Sequence, residues 1–362
     1  MAGSEVGPKR EHGQRGVENV SGVASSLALS EFGSPVQQVN NSSHAGDHDH
    51  TEVAIGADAY DDSDLDSALG LERRDSTATV SSEAFKPVEK HGRRYHGYQE
   101  GKYLLPNDEQ EQDRLDLQHH LFGITLSRRL HLVRLPAIHR VLDIGTGTGI
   151  WSIRFADEHP DVKVCGVDLS PIQPRWVPSN CEFQIDDLSL SWTFEFPFDF
   201  IYGRMLFCSF SDPLHVFREA FKALTAGGII EMQDLIFDFR SDDDSLKGSA
   251  LETWAKKVKE AFGSKGIDLT SASRYRNYLE NVGFEDIQQQ KFIWPVGTWP
   301  DDQDSKTLGS WCRENILKML FAISIVPLTE QQHSMSEEAV QLLLARVRED
   351  LRDPKIHAYL QM

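Results

Sequence analysis

Cysteines, long apolar runs and positive charge are all scarce in this chain, and each absence narrows its class. The 362 residues include four scattered cysteines with no C-x-x-C pair, so neither a disulfide framework nor a cysteine-rich zinc site is expected. No apolar run reaches the ~18 residues of a membrane span, and residues 1–40 lack the apolar core of a secretory signal. Acidic residues number 56 against 37 basic ones, and the resulting net charge of −19 disfavours an extended nucleic-acid surface. We therefore expect a cytoplasmic or nuclear chain that binds neither nucleic acid nor membrane.

The N-terminal quarter of the chain lacks the pattern of a folded domain. Residues 1–92 contain no Trp, are dominated by Ser, Gly, Asp, Glu and His, and predict a disordered tail. Its His44–His50 tract carries potential metal ligands, but nothing rigid orders them, so we predict a solvated polar tract and no metal site. A ligand or catalytic site is therefore sought in the predicted domain, residues 93–362, whose segment 93–135 begins with aromatic residues and a helix capped by Asn107.

The rest of the chain is organised around the stretch from Arg140 to Leu169. An apolar run, a Gly-rich turn, a helix-length segment and a second apolar run predict one β-α-β unit. Gly145, Gly147 and Gly149 lack Cβ atoms, so the backbone can turn sharply there and approach a ligand closely. The following helix points its free N–H groups at that ligand. Asp168 ends the second strand, where a carboxylate is placed to bind two ribose hydroxyls.

The spacing of the glycines indicates which nucleoside is bound. The dinucleotide pattern G-x-G-x-x-G fails because Ile150 stands where its third glycine belongs, and no Lys follows the glycines as in a P-loop. An NAD-linked oxidoreductase is thus the disfavoured alternative. Asp143-x-Gly-x-Gly-x-Gly is instead the pattern of class I S-adenosylmethionine-dependent methyltransferases. It predicts that this cofactor contacts Asp143, Thr146 and the three glycines.

Alternating strands and helices after this unit predict a Rossmann-like parallel sheet with helices on both faces. Ligands of such sheets bind at the carboxyl ends of the strands. The residues at those ends are the Gly-rich turn, Asp168 with Leu169, Asp186 with Asp187, and Arg204. Asp186 or Asp187 can accept a hydrogen bond from the adenine amino group, or can simply cap a turn. A long sixth strand is predicted over Phe284–Val296, and a helical insertion over 297–354 precedes the final strand.

Long stretches of the chain resemble the fungal LaeA-like, or TAM-domain, methyltransferases. The resemblance runs from about Tyr95 to Met362 and is most specific in Tyr103–Glu109, Asp113–His120, Val141–Trp151, Asp168–Pro174, Trp176–Pro178 and Ile185–Leu188. It implies a class I methyltransferase fold and S-adenosylmethionine as cofactor. It also implies two alternative roles. One is modification of secondary metabolites, and the other is regulation of their gene clusters from a nuclear complex with velvet-type proteins.

The resemblance also brings two expectations about the ends of the domain. The segment before the first sheet strand is expected to fold over the cofactor, which makes Tyr103 a candidate aromatic lid. Family members continue the final strand further, whereas this chain stops at Met362. The shortened strand is expected to weaken the edge of the sheet.

Methyl transfer from a sulfonium is an in-line displacement, so the protein mainly aligns the nucleophile with the methyl group. No Asn/Asp-Pro-Pro-Tyr motif follows the fourth strand, which disfavours methylation of a base amino group. We expect a small-molecule acceptor, with oxygen as the attacking atom. His119 and His120 are candidate bases for its hydroxyl, and the alternative is that both histidines are structural. A regulator that binds S-adenosylmethionine and acts through protein partners is the second interpretation.

Overall fold

The computed structural model describes residues 86–330 and 335–362, so nearly all of the predicted tail, including the His44–His50 tract, lies outside the described residues. The helices are α1 (Glu109–Thr125), α2 (Ile150–Glu158), α3 (Pro213–Ala223), α4 (Ala250–Gly263), α5 (Tyr275–Val282), α6 (Gln303–Thr329) and α7 (Glu337–Arg352). The strands are β1 (Val88–Lys90), β2 (Arg93–Tyr95), β3 (Arg140–Ile144), β4 (Lys163–Asp168), β5 (Cys181–Ile185), β6 (Phe198–Arg204), β7 (Leu224–Gln233), β8 (Ile236–Arg240), β9 (Ile293–Pro295) and β10 (Tyr359–Gln361). A short 3₁₀ segment covers Ser271–Arg274.

The centre of the molecule is a five-stranded parallel sheet in the order β5-β4-β3-β6-β7. The chain adds β4 and β5 on one side of β3 and then β6 and β7 on the other. The direction of winding therefore reverses between β3 and β6, which opens a crevice beyond their carboxyl ends. The sequence-based prediction of a Rossmann-like methyltransferase sheet is confirmed.

Alternating side chains of the strands pack on opposite faces of this sheet. Val141 of β3 joins a buried cluster with Trp151 and Phe155 of α2. Its neighbour Leu142 joins a second cluster that contains Val216 of α3. Since successive residues of a strand point to opposite faces, the sheet carries α2 on one face and α3 on the other. Both faces are covered, which explains why the consecutive residues Val141 and Leu142 of β3 are both apolar and buried.

A second sheet, antiparallel and three-stranded, has the order β8-β10-β9. β10 lies in its middle and pairs on both sides, so the expectation of a weakened sheet edge at the C-terminal strand was wrong. The predicted long sixth strand over Phe284–Val296 was wrong in its length, because the strand covers only Ile293–Pro295, with further backbone hydrogen bonds at Phe292 and Val296. Asp286 takes a left-handed φ of 52° and interrupts the extended backbone that the apolar pattern suggested.

The N-terminal cap of the first helix differs from its prediction by one residue. Asp108, not Asn107, caps α1 by accepting the Glu111 N–H at 3.0 Å. A bidentate pair with Arg93, at 2.6 and 2.7 Å, fixes the Asp108 carboxylate for this task. The helix ends at Thr125, because Ser127 and Arg128 both adopt left-handed φ angles. Asn107 is thereby left free for a different role.

Helices α6 and α7 lie between β9 and β10, where the sequence predicted a helical insertion. They pack with α1 and α4 around a large buried cluster that also includes Trp254 and Trp294. Cys165, Cys181, Cys208 and Cys312 are buried and free, as expected. None of the helices in the described part of the chain combines the length and the apolar character needed to cross a membrane.

Candidate functional site

A cavity lies beyond the carboxyl ends of β3, β4, β5 and β6, and we refer to it as the strand-end cavity. It encloses about 100 Å³ within a recess of about 810 Å³ that opens to solvent. Its lining consists of Lys102, Tyr103, Pro106, Asn107, Glu111, Leu115, Gly145, Gly147, Asp168, Leu169, Ser170, Ile172, Asp186, Asp187, Leu188, Met205, Leu206, Ser209 and Phe210. The enclosed part is smaller than the ~300–1,000 Å³ of an ordinary ligand site, so ligand entry requires the lining to move apart.

The three glycines of the turn all have positive φ angles, but they differ in what an added side chain would meet. A Cβ on Gly145 would collide with the Leu206 side chain, and one on Gly149 would collide with the Phe183 ring. Gly147, with φ of 59°, would meet only a Leu115 methyl group at 3.5 Å. Gly145 and Gly149 are therefore required by internal packing, whereas Gly147 leaves its open side towards the cavity.

Asp143 braces the turn from behind and does not line the cavity. Its Oδ2 accepts the hydroxyls of Thr146 at 2.6 Å and Ser152 at 2.7 Å. Burial raises the pKa of Asp143 to about 6, even though both hydroxyls oppose the shift. The sequence predicted that Asp143, Thr146 and Gly149 contact the cofactor, but none of the three lines the cavity. They lie behind the turn and hold it in shape.

Asp168 lines the cavity and ties the end of β4 to the glycine turn. Its carboxylate accepts the Gly147 N–H at 2.8 Å and the Ser170 N–H at 2.9 Å. Burial raises the pKa of this carboxyl, and the two backbone donors act in the opposite direction. Leu169, the next residue, also lines the cavity. The carboxylate that the sequence singled out is therefore at the ligand surface and is fixed in place.

The two acidic residues after β5 differ in how far they are engaged. Asp187 is buried and forms an ion pair with Lys102, and it also accepts the Ser189 N–H at 3.0 Å. Burial alone would raise the pKa of Asp187, but the bonds from Lys102 and Ser189 outweigh it and lower that pKa. Asp186 is exposed, and its carboxylate accepts the backbone N–H of Asp187 at 2.7 Å. Asp186 retains acceptor capacity for a ligand.

Neither predicted histidine lines the cavity. His119 is buried, with Nδ1 at 3.0 Å from Arg204 and Nε2 at 2.9 Å from Arg154. Burial, followed by these two guanidinium groups, lowers the pKa of His119 to about 3. His120 is exposed and packs edge-on against Trp311, with ring centroids 4.7 Å apart. Arg204 is also absent from the lining and stacks over the Phe122 ring at 5.0 Å.

Helix α1 supplies cavity residues that the sequence reasoning missed. Glu111 and Leu115 of α1 line the cavity, and their spacing of four residues, which places them on one face of the helix, was the available signal; Asn107, just before the cap, lines it as well. The Asn107 amide donates to Ser170 Oγ at 3.3 Å, while its Oδ1 is buried without a hydrogen-bond partner among the described residues. A buried acceptor of this kind is costly unless a ligand donates to it.

The charges of the cavity lining indicate which nucleoside cofactor the cavity can hold. Four carboxylates, those of Glu111, Asp168, Asp186 and Asp187, line the cavity beside one cation, Lys102; Lys102 is paired with Asp187, and Glu111 is paired with Arg114 behind the lining. Such a surface repels a pyrophosphate and favours a ligand rich in donors. S-adenosylmethionine offers ribose hydroxyls, amino groups and a positively charged sulfonium, and it has no phosphate. The residues present therefore fit this cofactor. In the described ranges, 86–330 and 335–362, no cluster of His, Cys, Asp and Glu is arranged to hold a metal ion.

Comparison with known proteins gives matches over most of the chain. Residues 104–289 match the family described as "Methyltransferase domain". Methyltransferase pytC of Aspergillus terreus is 38% identical over 82% of this chain and 91% of that protein. Protein-methionine methyltransferase laeA of Emericella nidulans is 36% identical over 75% of this chain and 73% of that protein. A solved Haemonchus contortus phosphoethanolamine N-methyltransferase aligns over 67% of this chain and 50% of its own, with 16% identity and a TM-score of 0.38.

Proposed function

Because the chain belongs to the fungal LaeA-like class I S-adenosylmethionine-dependent methyltransferases, we propose that it methylates a small-molecule secondary metabolite, with oxygen as the attacking atom. The reaction class is EC 2.1.1.-, and S-adenosylmethionine is the cofactor. The single observation that carries the placement of the cofactor is the acceptor-rich lining of the strand-end cavity. When bound there, the cofactor supplies an electrophilic methyl group, and the chain supplies alignment and exclusion of water.

The roles of individual residues follow from what each side chain leaves unsatisfied. We propose that Asp168 accepts the ribose hydroxyls, because it lines the cavity and is oriented by two backbone donors. Asp186 is assigned to the adenine amino group, since Asp187 is occupied by Lys102. Asn107 Oδ1 is assigned to the amino-acid end, where an ammonium group would satisfy this buried acceptor, and the neighbouring Glu111 carboxylate, paired with Arg114, adds negative charge there. Gly147 lets the ligand pass close to the backbone.

The loop before α1 is proposed to be the lid that the sequence suggested. Lys102, Tyr103 and Pro106 form one wall of the cavity, and the Lys102–Asp187 ion pair joins this loop to the end of β5. Burial raises the pKa of Tyr103 well above its ordinary value, so its ring stays neutral. The face of a neutral aromatic ring attracts a nearby sulfonium, and the exclusion of water strengthens that attraction. Opening this ion pair would separate the loop from the end of β5 and widen the entrance to the cavity.

A metabolite comparison tests the proposed acceptor class. The gene is deleted in the strain that encodes the chain, and metabolites of that strain and its parent are compared without preselection. Compounds that accumulate in the deletion strain are then incubated with the purified chain and S-adenosylmethionine carrying a labelled methyl group. We expect one accumulated compound to gain a single labelled methyl on oxygen. Transfer to nitrogen only, or to no compound at all while the cofactor still binds, would overturn this assignment.

A second candidate function is regulation, because relatives bear the names "Secondary metabolism regulator laeA" and "Protein-methionine methyltransferase laeA". One observation favours a methionine acceptor here. Met205 lines the strand-end cavity and adopts a left-handed φ of 58°, which is uncommon for a non-glycine residue and is found preferentially at functional sites. Intact-mass analysis after incubation with S-adenosylmethionine would show a gain of one methyl group that is absent in Met205→Leu. Velvet-type partners and a nuclear location belong to this alternative.

A further inference from the structure

A second recess, which we call the basic cleft, lies next to the strand-end cavity at the start of α1. It is formed by the start of α1, the middle of α6 and the end of α7, and has a volume of about 540 Å³. Its lining residues are Gln110, Arg313, Glu314, Leu317, Lys318, Phe321, Arg348 and Arg352. The proposed cofactor and acceptor roles use none of them.

The charge of this cleft is opposite to that of the chain as a whole. Four cations, Arg313, Lys318, Arg348 and Arg352, face one carboxylate, Glu314, in a chain of net charge −19. Throughout residues 86–330 and 335–362, none of the four cations forms an ion pair or side-chain hydrogen bond with a protein group. The C-terminal end of α7 offsets part of the charge of Arg352. Like charges gathered without partners still repel one another, and an anionic ligand would relieve that repulsion.

The arrangement of the cations indicates an extended ligand. Arg348 and Arg352 are one helical turn apart, about 6 Å, and Arg313 and Lys318 are separated by about 7.5 Å along α6. Single phosphate groups are bound by cations that converge on one point, whereas these cations are distributed along two helices. Leu317 and Phe321, both half-buried, add an apolar strip to the lining on α6. Carboxylates spaced along a peptide, with an apolar side chain among them, match this pattern.

We propose that the basic cleft docks an acidic, apolar-containing peptide segment of a partner protein. Arginine forks bind carboxylates in a bidentate manner, and Leu317 and Phe321 receive the apolar side chain of the segment. The docking surface is adjacent to the strand-end cavity, since Gln110 faces the cleft and the next residue, Glu111, faces the cavity. Arg114 of α1 also bonds Asn315 of α6 at 2.9 Å, so the helices that form the cleft are connected to the proposed cofactor site.

Fluorescence anisotropy with a labelled peptide tests the docking proposal on the full chain. The probe is Asp-Glu-Asp-Phe-Glu-Asp-Leu-Asp, and its control replaces every Asp and Glu with Asn and Gln. Arg352→Glu is compared with Arg346→Glu, which lies on the same helix, is also exposed and makes the same charge change outside the cleft. We expect saturable binding of the acidic probe and no binding of the neutral probe. Affinity for the acidic probe should fall at least ten-fold in Arg352→Glu and should be unchanged in Arg346→Glu. Lys318→Glu should reproduce that loss from α6.

Three results would overturn the proposal. Equal losses in Arg352→Glu and Arg346→Glu would mean that the probe senses overall charge only. Binding of the neutral probe as tightly as the acidic one would exclude charge recognition. Tighter binding of a singly phosphorylated, otherwise neutral peptide would identify a phosphate site instead. Calorimetric titration with S-adenosylmethionine is run on each variant, so loss of peptide binding with normal cofactor binding separates this proposal from the proposed methyltransferase function.

Discussion

Gly147→Ala is expected to weaken cofactor binding in addition to its effect on the fold. The added Cβ meets only a Leu115 methyl group at 3.5 Å, an ordinary contact, so nothing in the protein must shift. The positive φ of 59° nevertheless costs an alanine roughly 1–2 kcal/mol of stability. Because Gly147 and Leu115 both line the strand-end cavity, the new methyl group also occupies space at the proposed cofactor surface.

Gly227→Ala is the matched control for this change. Gly227 has a φ of 79°, nothing lies within 4 Å of its added Cβ, and it is not part of the cavity lining. Both variants should therefore lose a similar free energy of unfolding in denaturant titrations. Calorimetric titration with S-adenosylmethionine should show at least a ten-fold weaker affinity, a loss of about 1.4 kcal/mol, only in Gly147→Ala. Equal affinity in the two variants would refute the passage of the cofactor over Gly147.

Substitutions of five further residues test other parts of the site. Asp168→Ala should lower cofactor affinity about ten- to a hundred-fold, roughly 1.5–3 kcal/mol. Unchanged affinity in Asp168→Ala would contradict the ribose assignment. Asp186→Ala should lower cofactor affinity less, because Asp186 is exposed. Asp143 has its pKa raised from 3.8 to about 6, so the stability it contributes is present below pH 3.8 and is lost as the pH rises through 6. Asp143→Asn should therefore gain stability relative to the unmodified chain between pH 4 and 7, by up to about 3 kcal/mol in denaturant titrations, and a pH-independent difference would contradict the buried charge. If His119 or His120 is the base, its Ala variant lowers turnover at unchanged cofactor affinity; full turnover in both variants would end that prediction.

The parallel sheet was predictable because its determinants are local. Apolar runs, the glycine turn and short connections fix the β-α alternation, and strand ends necessarily meet at one edge of the sheet. Asp168, Asp186 and Asp187 accordingly lie together in the cavity. The sequence patterns were sufficient here because each carboxylate follows its strand directly.

The remaining features depend on contacts between distant segments. Asn107 looked like a helix cap, but the pairing of Arg93 with Asp108 moves the cap by one residue and turns Asn107 towards Ser170. The position of β10 between β8 and β9 depends on long-range pairing that its three residues do not encode. His119 lies between Arg154 of α2 and Arg204 of β6, and no local sequence pattern predicts such neighbours.

The central claim is that the strand-end cavity binds S-adenosylmethionine. Its most direct test is calorimetric titration of the full chain with S-adenosylmethionine, followed by the same titration with NAD⁺. The acceptor-rich lining predicts saturable binding of one S-adenosylmethionine per chain, displaced by S-adenosylhomocysteine, and no heat of binding with NAD⁺. Binding of NAD⁺, or a folded chain that does not bind S-adenosylmethionine, would contradict the account.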